Sequence, residues 1–245
     1  MVERVALVTG GTGAIGSKIC QYLARENYLV GALGHPSEQP KLREWKDALG
    51  SKVAVELADL GHYAEAATAI GRLQDLLGPA DVLVNAAGIT RDARFAKMTP
   101  DHWRAVIASN LDSVYNCTHA VFDGMCTRGY GRIVNISSVN GQKGQFGQAN
   151  YSAAKAGMHG LTMALAQEGA RHGVTVNTVS PGYIETPMTG AIKPEALEKI
   201  KAQIPMGRMG RPSDIARTVL FLTHENCSYI TGANIPVNGG LFMSA

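Results

Sequence analysis

Thr9-Gly10-Gly11-Thr12-Gly13-Ala14-Ile15-Gly16 follows the apolar run 5–8 and leads at once into an apolar-periodic stretch over 14–26. A strand that ends in a glycine-rich turn and opens a helix decides the fold. Such a turn needs backbone angles that side chains forbid. Its main-chain N–H groups, at the positive end of a helix, are open to a phosphate. Gly11, Gly13 and Gly16 satisfy G-x-G-x-x-G. The strand before and the helix after give that pattern its weight as a dinucleotide cradle, which Gly10 and Ile15 share.

Outward from this turn, short apolar runs alternate with longer helical patterns. Strands are predicted at 29–33, 53–57, 82–84, 132–136, 174–179 and 234–237, besides the first at 5–8. Most are unbroken runs of Val, Ile, Leu and Ala, as in a parallel sheet covered on both faces. Helices are predicted near 14–26, 40–49, 62–77, 100–128, 151–172 and 212–224. The expected fold is α/β: one Rossmann-type domain over 1–245, a doubly wound parallel sheet of about seven strands with helices on both faces. Two stretches break the rhythm. Polar 140–150 and Pro/Gly-rich 183–211 both follow strands at their carboxyl ends, where open α/β sheets bind ligands. They are expected to form a substrate loop and a lid.

Composition excludes several classes. A formal charge of +3 over 245 residues, scattered along the chain, gives no footprint for nucleic acid. Apolar content of 45% excludes intrinsic disorder. No apolar run approaches the ~18 residues that span a bilayer, and Met1-Val2-Glu3-Arg4 runs straight into a strand. A cytoplasmic protein without a membrane segment is therefore expected. Cys20, Cys117, Cys126 and Cys227 show no C-x-x-C spacing and read as reduced, buried thiols. The seven His form no H-E-x-x-H or Cys/His cluster, so no metal is expected.

The second strand ends Ala32-Leu33-Gly34-His35-Pro36, with no carboxylate until Glu38 and then Lys41 and Arg43. An acidic residue at that strand end marks NAD. Its absence, with bases following, favours NADP(H), placing His35 and Lys41 near the adenosine ribose. Asp59 is placed either to accept from the adenine amino group or to cap the next helix.

Tyr151-Ser152-Ala153-Ala154-Lys155 opens a helix, and i,i+4 spacing puts phenol and ammonium on one face. An adjacent cation favours the phenolate and is expected to lower a pKa that is ~10 in free Tyr. Among the eight Tyr, only this one has Lys four residues later. Ser138 lies 13 residues earlier, beyond the fifth strand, with Ser137 as a competitor. Asn110 is the polar intruder on the apolar stripe of 100–128, either a structural tie or part of a proton path.

Taken together, the glycine loop 9–16, Asn85-Ala86-Ala87-Gly88, Asn110, Ser138, Tyr151/Lys155, and Pro181-Gly182 with Thr186 resemble the short-chain dehydrogenase/reductase family over essentially the whole chain. Ala14 and Ala86 depart from the family's usual Gly and Asn. The resemblance implies Tyr151 as general acid and Lys155 as its modulator and holder of the nicotinamide ribose. It implies Ser138 as carbonyl donor and Asn110 as holder of a water linking Lys155 to solvent. Asn85 and Gly88 would line the cofactor, with Pro181, Gly182, Ile184 and Thr186 around the nicotinamide. Within the family, Gly88-Ile89-Thr90-Arg91-Asp92 and the run 131–148 resemble enzymes acting on acetoacetyl-CoA. That implies NADPH-dependent reduction of this acyl-CoA thioester to (R)-3-hydroxybutyryl-CoA, as in polyhydroxybutyrate biosynthesis, by a homotetramer. Gln145, Phe146 and Gln148 would meet the acyl end, and Asp92, Lys97 and Tyr183 the pantetheine. The alternatives are a 3-oxoacyl-[acyl-carrier-protein] reductase and, more remotely, a non-catalytic NADP(H) sensor.

Overall fold

The computed structural model describes residues 3–49, 53–190 and 194–243. Seven strands, β1 (Val5–Thr9), β2 (Leu29–Gly34), β3 (Val53–Leu57), β4 (Val82–Asn85), β5 (Gly131–Ile136), β6 (Val174–Pro181) and β7 (Asn234–Val237), form one sheet. All pairs are parallel, in the order β3-β2-β1-β4-β5-β6-β7. Successive residues of one strand feed opposite layers. Ala6 and Val8 pack with Ile19, Leu23, Ile215 and Leu222, while Val5 and Leu7 pack with Ile70, Leu73, Val121 and Met125. Both faces are thus dry, which is why the strands read as unbroken apolar runs. The expected Rossmann-type sheet is what forms.

One layer holds α1 (Ala14–Arg25) and α10 (Pro212–Thr223); the other holds α3 (Tyr63–Leu77), α5 (Ser113–Arg128) and α7 (Ala149–Gly169). The sheet order reverses between β1 and β4, the point where such sheets bind ligands beyond their carboxyl ends. Thr9 Oγ1 closes that point by accepting from Ala86 N at 3.0 Å and Ala87 N at 3.1 Å.

The structure departs locally from the predicted helices. The expected helix 100–128 is broken into α4 (Pro100–Ile107) and α5 by a π-type turn, Ala108–Asp112. The polar loop 140–150 contains a short helix, α6 (Val139–Lys143), which Ser138 caps by accepting from Asn140 N at 3.1 Å. Stretch 183–211 carries α8 (Pro187–Gly190) and α9 (Pro194–Gln203). A 3-10 turn, Pro36–Lys41, precedes α2 (Leu42–Leu49). Among the described residues no helix is long and apolar enough to cross a membrane. Of the free cysteines, Cys20, Cys117 and Cys227 are buried as expected, whereas Cys126 is partly exposed.

Candidate active site

The glycine turn separates packing needs from ligand needs. A β-carbon on Gly16 would lie 2.1 Å from Gly10 O, and one on Gly11 would lie 2.7 Å from Ala32 Cβ. Gly10 has φ +61 and backbone of Ala86 and Ala87 within 3 Å of its β-carbon position. These three glycines are required by the chain's own contacts. Gly13 is different: only Gly10 O, at 3.3 Å, approaches its β-carbon position. Gly13 caps α1 without a side-chain hydrogen bond, and the first turn of α1 holds no acidic residue. Open backbone at a helix N-terminus, free of negative charge, fits a pyrophosphate. Ile15 lies in that same first turn, packed against the core.

At the catalytic end, α7 delivers Tyr151 and Lys155 one turn apart, with Lys155 Nζ 5.6 Å from the Tyr151 ring centroid. The helix is anchored from below. Asn135 Nδ2 donates to Thr162 Oγ1 at 2.9 Å, and Thr162 Oγ1 pairs with Thr178 Oγ1 at 2.8 Å. Ser137 and Ser138 then separate by direction. Ser137 Oγ turns inward, donating to Lys155 O at 2.9 Å and meeting His159 Nε2 at 2.9 Å. The Ser138 hydroxyl is the one that reaches the Tyr151 phenol and lowers it.

Electrostatics differ from the sequence expectation. Burial pushes the Tyr151 phenol above its ordinary value; the Ser138 hydrogen bond lowers it and the Asp92 carboxylate raises it further. Lys155 is not among the groups that move it. Instead the ammonium itself is perturbed: Lys155 is only 4% exposed, and burial drives its pKa down to about 7. The direction differs because desolvation, a loss for both ionised forms, is the largest influence on each group. Lys155 Nζ donates to Ile136 O at 2.8 Å.

Asn110 sits in the π-type turn, a feature common at functional sites. Its Nδ2 donates to Val106 O at 2.8 Å and Ile89 O at 2.9 Å. Its Oδ1 is buried and has no partner among the described residues. A β-carbon on Gly88 would meet that Oδ1 at 2.3 Å and Lys155 Nζ at 3.5 Å, so Gly88, Asn110 and Lys155 share one small space.

A family model described as enoyl-(acyl carrier protein) reductase matches residues 11–242. The chain belongs to the short-chain dehydrogenase/reductase family. It is 57% identical over 245 residues to an acetoacetyl-CoA reductase of Allochromatium vinosum, covering 99% of this chain and 100% of that one. It is 52% identical over 246 residues to an acetoacetyl-CoA reductase of Cupriavidus necator, with the same coverage. Identity to a 3-oxoacyl-[acyl-carrier-protein] reductase of Pseudomonas aeruginosa is 42% over 242 residues, 98% of each chain.

Several expected positions of this short-chain dehydrogenase/reductase also make contacts within the chain. Asn85 is 1% exposed, and its Nδ2 donates to Asn135 Oδ1 at 2.9 Å and Thr118 Oγ1 at 3.1 Å. Its amide nitrogen ties β4 to β5, while its Oδ1 is buried with no partner among the described residues. Ile184 packs into the core against the α-carbon of Gly210. Asp59 does not cap α3, whose N-cap is His62; its Oδ1 accepts from Gly61 N at 3.0 Å. The His35 ring pairs with Ser37 Oγ at 2.7 Å and caps the 3-10 turn. The Lys41 side chain lies outside the described residues. Pro181 ends β6, and Gly182 N donates to Val237 O at 3.0 Å, its α-carbon close against Asn238. Thr186 N donates to Thr189 Oγ1 at 2.9 Å.

The substrate candidates form a connected rim. Gln148 Nε2 donates to Asp92 Oδ2 at 2.9 Å, and Gln148 Oε1 accepts from Asn140 Nδ2 at 2.9 Å. Ala93 N donates to Gly147 O at 2.9 Å, so 91–93 and 140–150 are joined along one edge. Phe146 is 80% exposed, with the Arg94 guanidinium 5.8 Å from its ring centroid. Gln145 is partly buried beside it. Tyr183 opens onto a groove shared with Met206, Arg208 and Asn238. Two residues that sequence reasoning missed support the site from beneath. His159 links Ser137 to Ser180, and Asn140 links Ser138's helix to Gln148.

Proposed function

We propose that this chain reduces the 3-keto group of acetoacetyl-CoA to (R)-3-hydroxybutyryl-CoA, with NADP(H) as its nicotinamide cofactor. The observation that carries the proposal is the Ser138 hydroxyl, set close enough to the Tyr151 phenol to lower it, with Lys155 buried one turn below. When bound, the reduced nicotinamide supplies the hydride. The chain's own groups supply the rest. The Ser138 and Tyr151 hydroxyls converge, so a ketone oxygen set between them gains two donors where negative charge develops. Burial keeps Tyr151 protonated, and its proton goes to that oxygen. Lys155, poised near neutrality by burial, is suited to return a proton to the phenolate. Asn110 Oδ1, facing the same small space, is the acceptor available to orient that relay.

The names of the relatives at 57% and 52% identity favour the CoA thioester over the carrier-protein thioester. A homotetramer is part of the same proposal, supported by exposed Tyr115 on α5 and Met163 on α7. The test is a parallel steady-state assay of acetoacetyl-CoA and acetoacetyl-carrier protein with NADPH and NADH. The expected result is a kcat/KM at least roughly tenfold higher for the CoA thioester with NADPH. A preference for the carrier protein would overturn the substrate assignment.

A further inference from the structure

Glu38 stands four residues beyond the end of β2, yet its side chain returns to that end. The 3-10 turn Pro36–Lys41 reverses the chain, with His35 as its N-cap and Glu38 completing a capping box. Glu38 Oε2 accepts from the His35 backbone N–H at 2.9 Å and from the Thr12 hydroxyl of the glycine turn. Gly34 leaves the room for this arrangement. A β-carbon there would lie 2.8 Å from Thr12 Oγ1 and 2.9 Å from Glu38 Oε2.

The carboxylate therefore lies at the carboxyl end of β2, against the glycine turn. That is where an acidic side chain accepts from the ribose 2′-hydroxyl of NAD. Both protein bonds fall on Oε2, and among the described residues Oε1 makes none. One oxygen fixes the group while the other is available to a hydroxyl. A 2′-phosphate in the same place would bring about −1.5 to −2 of charge beside a carboxylate. Arg43 on α2 is exposed and carries the opposite charge.

We propose that Glu38 is a cofactor-specificity residue that receives the adenosine ribose of NADH and opposes a 2′-phosphate, so that the chain binds NADH alongside NADPH. The inference rests on the proposed function and refines its cofactor choice. The expected rule, an acid directly at the strand end, is met here by a residue that folds back to it.

The test is equilibrium binding of NADH and NADPH, by titration calorimetry, to the unmodified protein and to Glu38→Gln. Gln keeps an acceptor for Thr12 and His35 N, and Glu38→Ser serves as a second variant should Glu38→Gln not fold. The expected result is measurable NADH binding by the unmodified protein and a rise of at least roughly fivefold in its Kd ratio, NADH over NADPH, on substitution. A smaller rise in a folded variant overturns the role of Glu38. Binding of neither dinucleotide to the unmodified protein would overturn the proposed function and this inference together.

Discussion

Asn110 Oδ1 lies so close over Gly88 that a β-carbon on that glycine would be 2.3 Å away. The β4 turn and the π-type turn of the long helix are therefore locked by one amide, which also donates to Ile89 O and Val106 O. Gly88→Ala is expected to force the two segments apart, losing about 1–3 kcal/mol of stability and most activity. Asn110→Asp keeps the shape and the acceptor but removes both donations. It should lose a comparable amount, read as a lower Tm. An unchanged Tm in both variants would contradict this lock.

Lys155 is a buried cation held by a backbone carbonyl rather than a carboxylate, which costs the fold stability for the sake of the site. Lys155→Met should abolish reduction while raising stability by about 1–3 kcal/mol, or several degrees in Tm. The pH window follows from the sign of the shift. Its pKa falls from the ordinary 10.5 to about 7 on folding. Below about 7 both folded and unfolded chains hold the proton and the full penalty is present. Between about 7 and 10.5 the unfolded chain binds more protons, so wild-type stability rises and the advantage of Met shrinks. Melting curves at pH 6 and at about pH 10 check this.

Two neighbours act on Tyr151 in opposite directions, and the pH profile of the reverse oxidation reads both. Oxidation needs the phenolate, so its rate climbs as the phenol ionises. Ser138 lowers the phenol and Asp92 raises it. Ser138→Ala should cut kcat at least ~10²-fold and move the alkaline rise to higher pH. Asp92→Asn should move it to lower pH. Shifts of the same sign in both variants would show that the groups act otherwise.

Much of the fold was legible because the sheet is dry on both faces: every predicted strand forms, each within two residues of its expected bounds. The glycine turn was legible for a related reason, since Gly10, Gly11 and Gly16 answer to hard contacts that only glycine satisfies. The rest depends on where chains return. Glu38 lies four residues past β2, and only the 3-10 turn brings its side chain back to the strand end. Asn85 carries a polar side chain at a strand end, and its cross-strand bond to Asn135 depends on a register that sequence spacing does not give. The Tyr151 shift runs opposite to the direction that spacing implies, because spacing reveals the neighbouring ammonium but not how deeply both groups are buried.

The central claim is that the Tyr151 hydroxyl, beside Ser138, delivers the proton to the reduced ketone. The measurement that tests it is acetoacetyl-CoA reduction by Tyr151→Phe, with dinucleotide affinity determined on the same preparation. The account predicts a loss of at least ~10²-fold in kcat with dinucleotide Kd within about threefold of wild type. Turnover within about tenfold of wild type would contradict it.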